Sequence, residues 1–202
     1  MKKVFLFVCF MLFSTTMSYA QEQYLTEEEK TVTEKDLDAA YLAPSSKFIG
    51  KKWYIDENNI WLINANGNIK CETTFIDTDY GDTIHIKRIH PGIWKRNKQY
   101  LNITELAKQV TYIPDASELK KYSLRKQDEI KQDYATATKN RRNKYYNDGH
   151  HTFELRKVTN DYIIFDASLN GGASTVFYLF SQKMLNELRK REQEAKAKKA
   201  AE

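Results

Sequence analysis

Cysteine is nearly absent from this chain of 202 residues, which holds two, Cys9 and Cys71. That excludes a disulfide-dense scaffold and a structural zinc site built on cysteine pairs. Three prolines and seven glycines exclude collagen-like and Pro/Gly low-complexity chains. No apolar run approaches the ~20 residues that cross a bilayer as a helix, so no transmembrane segment is expected in the mature chain. A phosphate-cradling glycine loop and a dinucleotide fingerprint are also lacking. Gly171-Gly172-Ala173-Ser174 has the wrong order for a nucleophile elbow. What the chain does have is 41% hydrophobic and 13% aromatic residues, enough to build one core and to exclude wholesale disorder.

The first twenty residues read as a secretory signal peptide. Lys2 and Lys3 form a positive start, Val4 to Phe13 is apolar, and Ser18-Tyr19-Ala20 places small residues where a signal peptidase reads them. Cleavage after Ala20 exports the protein to the periplasm or medium. Cys9 follows Leu6-Phe7-Val8, which lacks the small residues of a lipid-attachment site. Removal of the signal takes the formal charge from +5 to +3 and leaves Cys71 as the single thiol. Cys71 is expected to be a buried small hydrophobe, with an exposed dimer-forming thiol as the alternative.

Charge is uneven along the rest. Residues 21–46 hold seven acids against two bases; 182–202 hold seven bases against four acids. The acidic stretch reads as a mobile arm with a short helix over Glu34 to Tyr41, capped by Thr33 and ended by Pro44-Ser45-Ser46. The basic stretch reads as a helix docked by Met184, Leu185 and Leu188 and fraying beyond Arg189, with contact to anionic lipid or glycan as the alternative.

Between these tails, residues 47–181, the pattern is mainly β. Ile69, Cys71, Thr73 and Phe75 alternate with Lys70, Glu72 and Thr74, one face in and one out. Asn64-Ala65-Asn66-Gly67 is a strong turn signal. Strands are expected over 52–56, 60–63, 69–75, 84–89, 93–95, 100–103, 152–158, 162–166 and 174–180. His90-Pro91-Gly92 is expected to break the chain. Residues 115–147 lack glycine and proline and read as a helical insert, capped at Asp115, with Leu119, Tyr122, Ile130, Tyr134 and Tyr145 as its apolar stripe. The last strand is apolar on both faces, so the insert is expected to cover its outside. Short strands joined by tight turns favour an up-and-down antiparallel barrel of about eight or nine strands, with a helical insert and a C-terminal helix, because closure removes exposed edges.

Three segments carry a family resemblance. Phe48-Ile49-Gly50-Lys51-Lys52-Trp53 resembles the Gly-x-Trp opening of bacterial lipocalin-like barrels, with one extra residue before Trp53. Gly92-Ile93-Trp94 with Tyr100-Leu101-Asn102-Ile103 resembles a later hairpin of the same group. The runs 153–158, 162–165 and 175–180 resemble its closing meander. The resemblance covers about 47–181 apart from the insert. It implies a barrel that encloses a small apolar ligand, and it implies no catalytic residue and no cofactor.

Two function classes follow. In the first, Trp53, Trp61, Phe75, Trp94 and Tyr178 line a barrel interior that holds a small apolar or aromatic ligand. In the second, the interior is filled and the insert and tails meet a protein or an anionic glycan at the cell envelope. Lys139, Arg141, Arg142 and Lys144, followed by Tyr145 and Tyr146, have the charge and rings such a partner needs. The same run suits single-stranded nucleic acid, which export argues against. A solvated helix face is the other reading of it. No catalytic group and no metal site is expected: His85, His90, His150 and His151 read as solvated turn histidines. The acidic turn Asp77 to Asp82 departs from calcium-loop spacing and reads as exposed.

Overall fold

The computed structural model describes residues 21–143, 148–168 and 174–201. The expected signal peptide, Lys144, Tyr145 and the Asn170-Gly171-Gly172 turn lie outside the described residues. Helices α1 (Glu27–Lys30) and α2 (Glu34–Leu42) precede strands β1 (Lys52–Tyr54), β2 (Asn59–Ile63), β3 (Asn68–Asp77), β4 (Ile84–Asn97), β5 (Tyr100–Glu105) and β6 (Thr111–Pro114). The insert follows as α3 (Ala116–Leu119) and α4 (Leu124–Asn143); then come β7 (His150–Val158), β8 (Tyr162–Ser168), β9 (Ser174–Phe180) and α5 (Gln182–Ala201). No helix among the described residues is long and apolar enough to cross a membrane.

Eight antiparallel strands close into a barrel in the order β1-β2-β3-β4-β5-β7-β8-β9, and β6 adds a ninth beside β4. The fold class is the one the alternation predicts. Two details differ. The chain does not break at Pro91, because β4 runs unbroken from Ile84 to Asn97. Pro91 sits where β4 passes from β6 (Ile89 opposite Thr111) to β5 (Gly92 opposite Glu105). Its carbonyl accepts from Leu106 N–H on that side, so its missing N–H falls in the gap between two partners and costs no ladder bond. Strand β6 had no sequence signal, being four residues without alternation.

Period-two positions turn a large apolar set into the barrel interior. Trp53, Ile63, Ile69, Leu101, Leu155, Ile163, Phe165 and Leu179 are almost wholly buried in one cluster with Cys71. Within this cluster Trp61, Phe153, Phe165 and Phe177 meet with ring centroids 5.5–6.5 Å apart. Eight strands leave an interior about wide enough for such side chains.

One end is plugged by the acidic segment, which is docked rather than mobile. Thr33 caps α2 by a reciprocal bond with Asp36, and α2 seats a fully buried Ala40 in the barrel cluster. Arg96 reaches back from β4 to the carbonyls of Ala40 (2.9 Å), Tyr41 (3.2 Å) and Ala43, which end α2. Trp53 Nε1 donates to Phe48 O at 3.0 Å, closing the same end. The charges of the arm meet opposite charges: Arg191 of α5 binds Glu29 at 2.7 and 3.1 Å, and Lys157 lies 3.8 Å from Asp36 while donating to Thr31 O at 2.9 Å.

The outside of β9 is covered by α5, not by the insert. Met184, Leu185 and Leu188 pack with Tyr178, Phe180, Ile164 and Leu25, so α5 docks through two turns. The insert covers the β3–β4–β6 ribbon instead. That ribbon continues past the barrel rim, and its inward face, Phe75, Ile84, Ile86 and Tyr112, packs against Leu119, Tyr122, Ile130 and Tyr134.

Candidate functional site

Three of the five residues expected inside the barrel, Trp53, Trp61 and Trp94, are there, and they share one core. Phe75 and Tyr178 are not. Phe75 has the inward parity of Ile69 and Cys71, but it lies beyond the rim, where α4 covers that face. Tyr178 stands on the outer face of β9, stacked on Phe180 at 6.0 Å beneath α5. Its hydroxyl, pushed up to about 12 by burial and by nearby Glu22, donates to Glu22 at 3.4 Å.

The basic run is also divided. Lys139 and Arg142 are exposed. Arg141 does not face solvent as a free helix face would require. It is half-buried, its Nε donating to Ala107 O at 3.2 Å, because the turn at Ala107–Gln109 packs under the end of α4. Lys108 in that turn is exposed beside it.

The histidines fall in four different settings. His85 is clamped by Glu118, which accepts from its backbone N–H at 2.6 Å and contacts Nδ1 at 2.8 Å. His150 Nδ1 lies 3.1 Å from Thr104 Oγ1, and His151 Nε2 lies 3.3 Å from Glu105. His90 is buried inside β4 at 4% exposure, correcting its reading as a turn residue. Among the described residues, no group of three or more His, Cys, Asp or Glu is placed to hold a metal ion. The acidic turn is tied to the insert by tyrosine hydroxyls: Tyr134 to Asp77, Tyr80 to Asp133 at 2.9 Å, and Tyr122 to Asp82 O at 3.0 Å. Burial and the facing carboxylates push the Tyr80 and Tyr134 hydroxyls up.

The feature that sequence reading missed lies on the inward face of β4. Its positions run Ile84, Ile86, Arg88, His90, Gly92, Trp94. The first pair belongs to the insert core and Trp94 to the barrel core, so Arg88 and His90 occupy the seam between them. Register sets Arg88 in a row with Thr73 and Tyr112, and His90 opposite Cys71. Burial first, then the charges of Arg88 and Arg141, lower His90 to about 3, so the imidazole is neutral. Burial also lowers Arg88, with Arg141 repelling it and Tyr112 and Glu105 opposing the shift. Burial, then Glu105, pushes the Cys71 thiol up, so it is no thiolate nucleophile. The signal was present in the sequence: a cation and an imidazole at two successive inward positions of an otherwise apolar alternation.

On the opposite, outward face of this ribbon lies a groove of about 460 Å3, between Lys70 and Lys87 on one side and Ile89, Ile113 and Pro114 on the other. Glu72 binds both lysines, at 3.0 and 3.5 Å, and Asp115 in the same lining supplies a second carboxylate against their two charges.

No protein-family model matches the chain, and no curated protein matches it.

Proposed function

We propose that the mature chain is an exported interaction module of the cell envelope that binds an anionic glycan through the basic end of its helical insert. The barrel serves as a scaffold filled by its own side chains. One observation supports this reading: Trp61, Phe153, Phe165 and Phe177 of the barrel core meet ring to ring, with centroids 5.5–6.5 Å apart. The working surface is then outside. Lys108, Lys139 and Arg142 are exposed around the end of α4 and supply long-range attraction for a polyanion. Membership of the lipocalin-like barrels fits a binding module and belongs to the same proposal.

Retention on immobilised heparin at low salt tests it. The wild type is expected to bind and to elute as salt rises, since screening weakens exposed charge contacts. Lys139→Glu with Arg142→Glu is expected to leave the fold intact and to elute at clearly lower salt. A wild type that flows through, or a double variant that elutes with it, contradicts the reading. The second reading, a small apolar ligand held inside, is supported by the three interior tryptophans; a stoichiometric apolar adduct in a native mass spectrum would favour it.

A further inference from the structure

We propose that the outward groove of the β3–β4–β6 ribbon is a binding site for a small zwitterion, an α-amino acid with an apolar side chain. Lys87 takes its carboxylate, His85 and Asp115 take its ammonium, and Ile89, Ile113 and Pro114 carry its side chain. The site goes beyond the glycan reading and shares no residue with it.

Strand pairing sets the order of groups in the groove. The outward positions of β4 run His85, Lys87, Ile89, in steps of roughly 7 Å. Lys87 stands opposite Ile113 of β6. His85 O accepts from Asp115 N–H at 2.9 Å, so Asp115 sits beside His85. Acceptors, a cation and an apolar surface therefore follow one another along β4. The volume, about 460 Å3, is that of a small-molecule site.

Each polar group keeps one bonding direction for a ligand. Glu118 is held below its ordinary value, first by the His85 backbone N–H and then by the imidazole, so it is ionised and can only accept. His85 Nδ1, 2.8 Å from that carboxylate, therefore carries the proton in the neutral ring, and Nε2 is left as an acceptor. Asp115 caps α3 through Oδ1, which accepts from Ser117 N–H at 2.8 Å and from Glu118 N–H at 3.1 Å. Its Oδ2 takes neither bond and is left for an ammonium. Lys87 meets Glu72 at 3.5 Å, which occupies one of its three N–H donors. The side chain is exposed, and its flexible stem lets the ammonium turn to a carboxylate.

Charge decides the ligand class. Lys70 and Lys87 are matched in the lining by Glu72 and Asp115, so neither a simple anion nor a simple cation is favoured. The charges are nevertheless separated, with Asp115 and the His85 acceptor in one row and Lys87 in the next. A ligand with both signs on one carbon complements that arrangement. Ile113, 49% exposed, supplies apolar surface that an aliphatic or aromatic side chain removes from water.

Calorimetric titration with L-leucine and with L-phenylalanine tests the site at pH 8, where imidazoles are ordinarily neutral, with the histidine ring resonances as a second readout. At least one of the two is expected to bind saturably and to shift His85 with the same midpoint concentration, with His150 unmoved. Its N-acetyl derivative, which lacks the ammonium, and its amide, which lacks the carboxylate, are each expected to bind at least tenfold more weakly. Glycine is expected to show no saturable binding. Lys87→Gln is expected to weaken the amino acid about tenfold and to leave the amide unchanged, a difference that a merely structural role would not produce. Should Lys87→Gln fail to fold, the ligand series on the wild type decides. Absence of saturable binding by both amino acids overturns the site. So does a derivative that binds as tightly as its parent amino acid, or binding that leaves His85 unmoved.

Discussion

His90 is the residue whose surroundings have the largest measurable consequence. An unfolded histidine titrates near 6.5, whereas burial holds His90 at about 3 in the fold. The folded state therefore binds fewer protons between these values. Stability is complete above about pH 6.5 and falls as pH drops towards 3, by about 1.4 kcal/mol per pH unit once the unfolded state is protonated. Urea unfolding at pH 7.5, 6 and 5 should show this slope, and His90→Gln should flatten it. A second residue-scale expectation concerns Gly92. A Cβ built there would stand 2.9 Å from Ile69 Cγ2 and from the Thr104 backbone oxygen. Gly92→Ala should destabilise by about 1–3 kcal/mol through overpacking, read as a lower denaturant midpoint with the slope unchanged. Neither effect was legible beforehand. Gly92 was visible as part of a turn signal, but the strand that crowds it, β5, approaches only after folding.

Element-scale features were legible wherever one face of a segment is buried and its neighbours are local. The alternation in β3 and the Thr33 and Asp115 caps are examples. Legibility ended where a partner lies far along the chain. The outer face of β9 is apolar, but no local signal distinguishes α4 from α5 as its cover; the choice follows from the ribbon that extends past the rim and takes α4 for itself. Phe75 and Tyr178 were misplaced for the same reason, since parity fixes a face but not what covers it. Docking of the insert makes a direct expectation. Ile130 is fully buried and Tyr134 half-buried against the ribbon. Ile130→Asp with Tyr134→Asp should cost about 3 kcal/mol or more, by loss of burial and by unpaired charge. Calorimetry would measure it; an unchanged melting temperature would mean that this stripe does not hold the insert.

For the molecule as a whole, the opposite charges of the two terminal segments are used internally. The acidic arm and the basic helix, read from sequence as separate tails, are joined by Arg191 and Glu29 and share an apolar cluster through Leu25 and Leu188. Removal of 21–46 should therefore expose the barrel end at Phe48 and the face of α5 together, lowering the melting temperature by several degrees or more and increasing binding of an apolar dye. In the proposed function, the exposed Lys139 and Arg142 at the end of α4 are where an anionic partner would meet the module.

In the proposed function the barrel is a filled scaffold that binds at its outside. Native mass spectrometry of the protein purified from an exporting host tests it most directly. The expected spectrum shows a mass equal to that of the mature chain with no apolar adduct, and an adduct with a sulfated or uronate oligosaccharide added in solution. A stoichiometric apolar ligand released only on unfolding, with no oligosaccharide adduct, would contradict it.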